Sequence, residues 1–129
     1  MNVLKFVSVV FVLVVVVIAS IVFYFSLNLD KVKNISIGNI DLTNYDDGVY
    51  VGSFDGYRWS NTVEVTIKDH KIVNIKTKKG MMFRVTDVED ELINNVIKNQ
   101  SLDVDVVSGA TVSSKAILKA IENALNNNK

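Results

Sequence analysis

From Phe6 to Leu29 the chain carries no charge, and residues 7–25 are almost continuously Val, Ile, Phe and Leu. A helix that crosses the hydrocarbon core of a bilayer needs about 20 apolar residues, and this run supplies them. A helix buried in a globular core keeps a polar face, and this run has none. A cleaved leader has a shorter apolar region that ends in a small-x-small site. Here the small pair Ala19-Ser20 lies mid-run, with Ile, Val, Phe and Tyr after it. Residues 1–29 are therefore expected to form one transmembrane anchor, with Tyr24 and Phe25 as an interfacial belt. Lys5 precedes the span and Lys31 and Lys33 follow it, so charge alone does not orient it.

Residues 30–46 (Asn, Ser, Gly and isolated Ile) read as a linker, and 126–129 as a polar tail that frays. About 80 residues, 47–125, remain between them, enough for one modest core. The chain balances 14 basic against 14 acidic residues, and no basic patch suited to nucleic acid stands out. There is no Cys, which excludes disulfides and a lipid-bearing N-terminal Cys. With one His and no Cys, a transition-metal or haem site is not expected. Neither a Ser/His/Asp arrangement nor a pair of facing carboxylates suggests a catalytic site.

Within the domain, Asp46-Asp47-Gly48 signals a turn into a strand at 49–54, where Gly52 marks a bulge or a close approach. Residues 62–68 alternate strictly, with Val63, Val65 and Ile67 directed inward. Asp69-His70 turns the chain into 71–78, whose apolar set is Ile72, Val73 and Ile75. Thr86 and Glu89 read as a capping box for a helix through Asn99, with Val88, Leu92, Ile93, Val96 and Ile97 on one face. Leu102, Val104 and Val106 alternate with Asp103 and Asp105, which predicts a last strand. The fold class is α+β: a small, mainly antiparallel sheet with two packed helices, preceded by the transmembrane helix.

The last strand leads into Ser108-Gly109-Ala110 and then an amphipathic helix. That helix buries Ile117, Leu118, Ile121, Ala124 and Leu125, with Lys115, Lys119, Glu122 and Asn123 on its other face. A strand, a Gly-containing turn and a helix start make an anion site, because free backbone N–H groups and the helix dipole both favour negative charge there. Thr111, Ser113 and Ser114 add hydroxyls at that end. The same letters also serve as a simple helix cap.

Asp105-Val106-Val107-Ser108-Gly109-Ala110-Thr111 resembles the D-x-x-S/T-G-A-T flavinylation motif of the FMN-binding domain family. That family includes the flavoprotein subunits of sodium-pumping NADH:quinone oxidoreductases and Rnf-type complexes. The flow D-G-x-Y-x-G followed by V-x-V-x-I-x-D-x-K-I-x-x-I also resembles the start of that domain, and the likeness covers residues 47–125. The resemblance implies FMN joined to Thr111 through a phosphoester bond, placed there by a separate FAD-dependent, magnesium-requiring flavin transferase. Ser108, Gly109, Ala110, Ser113 and Ser114 would then surround the phosphate, with Asp105 serving recognition or transfer. Where the family often carries a Glu-x-Pro-Gly-like segment, this chain has Met81, Met82 and Phe83. Tyr50, Tyr57 and Trp59 join these three as flavin-neighbour candidates, and Lys78, Lys79 and Arg84 as cations for the reduced flavin. Core or loop packing is the simpler reading of each apolar candidate, and a solvated cluster that of the three cations.

The function implied is a membrane-anchored electron-transfer flavoprotein with its domain on the extracytoplasmic side. It would be an electron carrier or redox subunit rather than a stand-alone enzyme, exchanging electrons with a membrane quinone or a dehydrogenase. Two other readings stay open. One is a non-covalent FMN-binding subunit of a larger redox complex. The other is a cofactor-free anchored interaction domain in which Ser108–Thr111 is only a turn and a cap.

Overall fold

A computed structural model describes residues 2–27 and 29–127. Met1 and Asn28 of the expected anchor, and the last two residues of the expected tail, lie outside the described residues. The chain divides into two units, Met1–Asp30 and Lys31–Lys129.

The first unit is one helix, α1, over Val3–Ser26. Its 24 residues span about 36 Å at 1.5 Å each, against a hydrocarbon core of about 30 Å. The hydroxyls of Ser8, Ser20 and Ser26 donate to the carbonyls of Leu4, Val16 and Val22. Those bonds satisfy the polar side chains within the helix, as an apolar medium requires. By length and composition α1 can cross a membrane.

The second unit begins within a short helix, α2 (Leu29–Lys33). It holds three strands, β1 (Gly48–Phe54), β2 (Asn61–Lys68) and β3 (Lys71–Lys79), in the antiparallel order β1-β2-β3. Helices α3 (Thr86–Asn99) and α4 (Thr111–Asn126) cover one face. Along β2 every second residue points to these helices, and Val63, Val65 and Ile67 are all but inaccessible. Their β1 partners are Tyr50 opposite Val65 and Gly52 opposite Val63. Gly52 lies against α4, and a Cβ there would overlap the backbone of Ala120 and Ala124. The expected close approach is thus a strand seated directly on a helix.

The β2–β3 turn places Asp69 and His70 at φ of 51° and 59°, as a two-residue hairpin turn demands. Asp69 N–H donates to Asp47 Oδ1, and His70 Nδ1 lies 3.0 Å from the Tyr45 carbonyl. Val73, counted in the apolar set of this strand, is 49% exposed. A register shift between Thr66 and Ile67 carries it out of the alternation, so that Ile72 and Ile75 alone point inward.

Three further expectations change. Helix α3 begins at Thr86 with Val85 as N-cap, and no side chain caps it. Glu89 is instead buried and bonded elsewhere. Residues 102–106 keep alternating burial but join no ladder among the described residues. The Gln100 amide occupies the β3 edge, accepting from Ile72 N–H and donating to its carbonyl. The following segment lies instead beside residues 35–39 and α4, where the three line a cleft of about 240 Å³. Finally, the segment read as linker places Val32 and Tyr45 in the core, each 2% exposed. It also covers the polar face of α4: Lys115 and Lys119 donate to the carbonyls of Lys33 and Ser36, and Glu122 is only 8% exposed.

Candidate functional site

The turn at the start of α4 is built from the inside. Ala110 N–H donates to the Val107 carbonyl at 2.9 Å, closing a four-residue turn around Ser108 and Gly109. Gly109 has φ of +78°, the value a type II turn needs at its third residue. Ser114 is fully buried, and its hydroxyl accepts Val107 N–H at 3.3 Å. It ties the incoming chain to the first turn of the helix from beneath. Val107 and Val112 pack against the core on either side.

What this leaves outward is a set of backbone donors. Ser114 N–H is the first to bond within the helix, to the Ala110 carbonyl. The N–H groups of Thr111, Val112 and Ser113 precede it and have no intrahelical acceptor. Ala110, the N-cap, has only a methyl group and caps none of them. An uncapped helix start is unusual for a sequence so rich in Ser and Thr, and a bound anion would supply what the cap does not. Space is available too, since nothing lies within 4 Å of where a Gly109 Cβ would stand. Thr111 and Ser113 are half-buried, Ser108 and Asp105 exposed. The structure thus gathers Ser108, Gly109, Ala110, Thr111 and Ser113 around one rim, while Ser114 supports that rim from within.

Two loops stand at the same end of the sheet. Along β1, Gly52 lies on Ala120 and Ala124; toward the strand's end, Phe54 pairs with Asn61, whose Nδ2 donates to the Ala116 carbonyl at 3.1 Å. The loops that leave β1 and β3 therefore flank the N-terminal half of α4. Met82 N–H joins them by donating to the Arg58 carbonyl at 3.0 Å. Of the apolar candidates, Met81 is buried, Trp59 packs on the core under the Arg58 guanidinium, and the half-buried Tyr50 packs against the core edge-on to Tyr45. Tyr57, Met82 and Phe83 are 67%, 71% and 65% exposed, a solvent-facing apolar group at that end.

The candidate cations are differently placed. Lys78 lies 3.3 Å from Glu64 on the sheet, and Lys79 is exposed. Arg84 makes a forked contact with the buried Glu89, Nε to Oε2 at 2.8 Å and Nη2 to Oε1 at 2.9 Å. Thr77 donates its hydroxyl to the same carboxylate. The hydrogen bond that Arg84 donates to Glu89, then the charge of that carboxylate, hold the guanidinium above its ordinary, already high pKa. This cluster fastens the 80–85 loop to α3 and β3. Sequence reasoning missed it because Thr86 and Glu89 matched a capping box.

Comparison with known proteins bears on the same residues. The FMN-binding domain model matches residues 56–126, more than half of the chain, taking in both loops and the α4 turn. NADH:acrylate oxidoreductase of Vibrio harveyi is 30% identical over 86 residues, covering 63% of this chain and 8% of that protein. Urocanate reductase of Eggerthella lenta is 38% identical over 81 residues, covering 59% of this chain and 13% of that protein. The chain thus spans about a tenth of the length of these relatives.

Proposed function

Because the chain belongs to the FMN-binding domain family, we propose that it is a membrane-anchored electron carrier holding FMN covalently on Thr111. FMN is the cofactor of that family, and its relatives include flavin-associated reductases. The observation that carries the covalent reading is the uncapped start of α4 directly behind a motif-matching turn. Thr111 would provide the ester oxygen. The N–H groups of Val112 and Ser113 would face the phosphate, which keeps one negative charge as a diester. A helix N-terminus stabilises such a charge by about 0.3–1 kcal/mol. Ser108 would donate to a phosphate oxygen, and Ser114 would keep the turn in place.

Bound FMN supplies one- and two-electron transfer. The chain's own contribution is to hold and orient it. Tyr57, Met82 and Phe83 offer apolar surface for a flat ring system and would shield one side of it from water. A Thr hydroxyl is a weak nucleophile without an assisting base or metal, which fits attachment by a separate flavin transferase. The two named relatives are reductases much longer than this chain, and in them the matching domain is one part among several. An anchored domain of this kind would pass electrons between partners rather than reduce a small substrate itself. A membrane quinone or a dehydrogenase on the extracytoplasmic side suits that role.

The test is peptide mapping by mass spectrometry after co-expression with a flavin transferase. The peptide spanning Thr111 should carry the mass of FMN less water. Unmodified Thr111 in a protein that still binds FMN reversibly would replace this reading with non-covalent binding.

A further inference from the structure

We propose that Glu89 is a positioning residue for the flavin: through Arg84 it holds the 80–85 loop so that Met82 and Phe83, with Tyr57, form a fixed apolar seat for the ring system. The proposal rests on the FMN reading above and goes beyond it, because Glu89 lies on α3, outside the α4 turn, and is itself buried.

The loop is pinned at three places. Met81 is buried in the core. Met82 N–H donates to the Arg58 carbonyl, which ties this loop to the one that carries Tyr57. Arg84 makes the third pin, donating to both oxygens of Glu89. Its aliphatic stem lies over Gly80, where a Cβ would come within 2.8 Å of Arg84 Cδ. The Tyr57 loop is pinned as well. Trp59 and Ser60 N–H donate to the carbonyls of Gly56 and Tyr57, and Gly56 N–H donates to Ser60 Oγ. Tyr57 itself is held at φ of 58°, a backbone region that bulky side chains avoid.

Between these pins Tyr57, Met82 and Phe83 stay largely exposed. A loose loop exposes apolar side chains because little holds it. Here the backbone is held and the apolar side chains still face water, which suits a preorganised surface for a flat apolar partner. Stability explains the third pin poorly. Burying the Glu89 carboxylate carries a desolvation cost, and an apolar residue of similar volume stabilises a core as well as an ion pair does. What the pair adds is geometry. The fork fixes the guanidinium in one plane, and with it the loop between Gly80 and Arg84.

Glu89→Gln in the full chain keeps the volume and one acceptor and removes the charge. In the flavin-free protein, amide exchange over residues 80–85 should rise about tenfold while exchange in β2 stays unchanged. In the flavin-loaded protein, the fluorescence anisotropy of the flavin should fall to about half, because the attached ring system gains freedom on the nanosecond scale. Arg84→Lys keeps a cation without the fork; it should give the same two changes, and it is read alone where Glu89→Gln does not fold. Unchanged loop exchange would overturn the proposal, as would faster loop exchange with unchanged anisotropy. In both variants a general rise that includes β2, or failure to fold, would reduce Glu89 to a stability role and overturn it too. A wild type that takes up no flavin would overturn the FMN reading and this proposal with it, and its own peptide map shows that without any variant.

Discussion

Gly52 is where one side chain decides whether the sheet and α4 can meet. Any Cβ there overlaps helix backbone rather than a movable side-chain end. Gly52→Ala should therefore destabilise the domain by about 2–3 kcal/mol or more, read by urea denaturation. A change below about 0.5 kcal/mol would mean that the strand does not sit on the helix. The close approach was legible in the sequence as an unexplained glycine inside a strand pattern. Its partner was not, because sequence does not state which helix faces which strand. Arg84 presents the opposite case. Its pairing with buried Glu89 was invisible beneath a plausible cap, and only burial separates the two. Arg84→Ala should cost about 1–3 kcal/mol, less than a fully buried pair because Arg84 is itself 44% exposed. The guanidinium's folded pKa is raised, so its stabilisation is complete below the unfolded value and is lost only as pH rises through the folded one. Between pH 6 and pH 9 the cost of Arg84→Ala should thus stay constant, and a steep change across that window would contradict the assignment.

At the scale of elements, the α4 turn is where the proposed flavin attachment is placed. Its sequence signal was strong because every letter answers a local demand: a left-handed residue at Gly109, small neighbours, and hydroxyls at the helix start. Gly109→Ala meets no steric obstacle, so its cost is conformational, about 1–2 kcal/mol for a positive φ. Flavin loading measured by in-gel fluorescence should fall in this variant more than thermal stability does. Unchanged loading would show that the turn conformation is not what the attachment needs. The inward role of Ser114 was legible in helical spacing, which puts it three and four residues before the buried Ile117 and Leu118, but its hydroxyl drew it into the phosphate-binding set with Thr111 and Ser113. Residues 102–106 mislead in another way. Alternating burial reports a solvent side and a packed side, and packing against α4 produces it as well as pairing in a sheet does.

For the whole molecule, the boundary between the apolar helix and the domain lies earlier than composition suggests. Residues 31–46 look like a polar linker because their apolar side chains are few and scattered. Each is used, however: Val32 and Tyr45 are in the core, and Ile37, Ile40 and Leu42 pack against it. A chain starting at Lys31 should fold with the stability of the full domain. One starting at Gly48 should lose about 3–5 kcal/mol, from the burial of Val32 and Tyr45 alone. Equal melting of the two truncations would show that the segment only drapes over the surface. The apolar helix was the most legible part, because a long charge-free run has few other physical solutions.

Covalent flavin on Thr111 is most directly tested by flavin fluorescence of the denatured protein on a gel. Wild type and Thr111→Ala would be co-expressed with a flavin transferase and run side by side. A fluorescent wild-type band beside a dark variant is the predicted result. A dark wild-type band, with an intact mass showing no added FMN, would contradict the account and leave the turn at α4 as a cap alone.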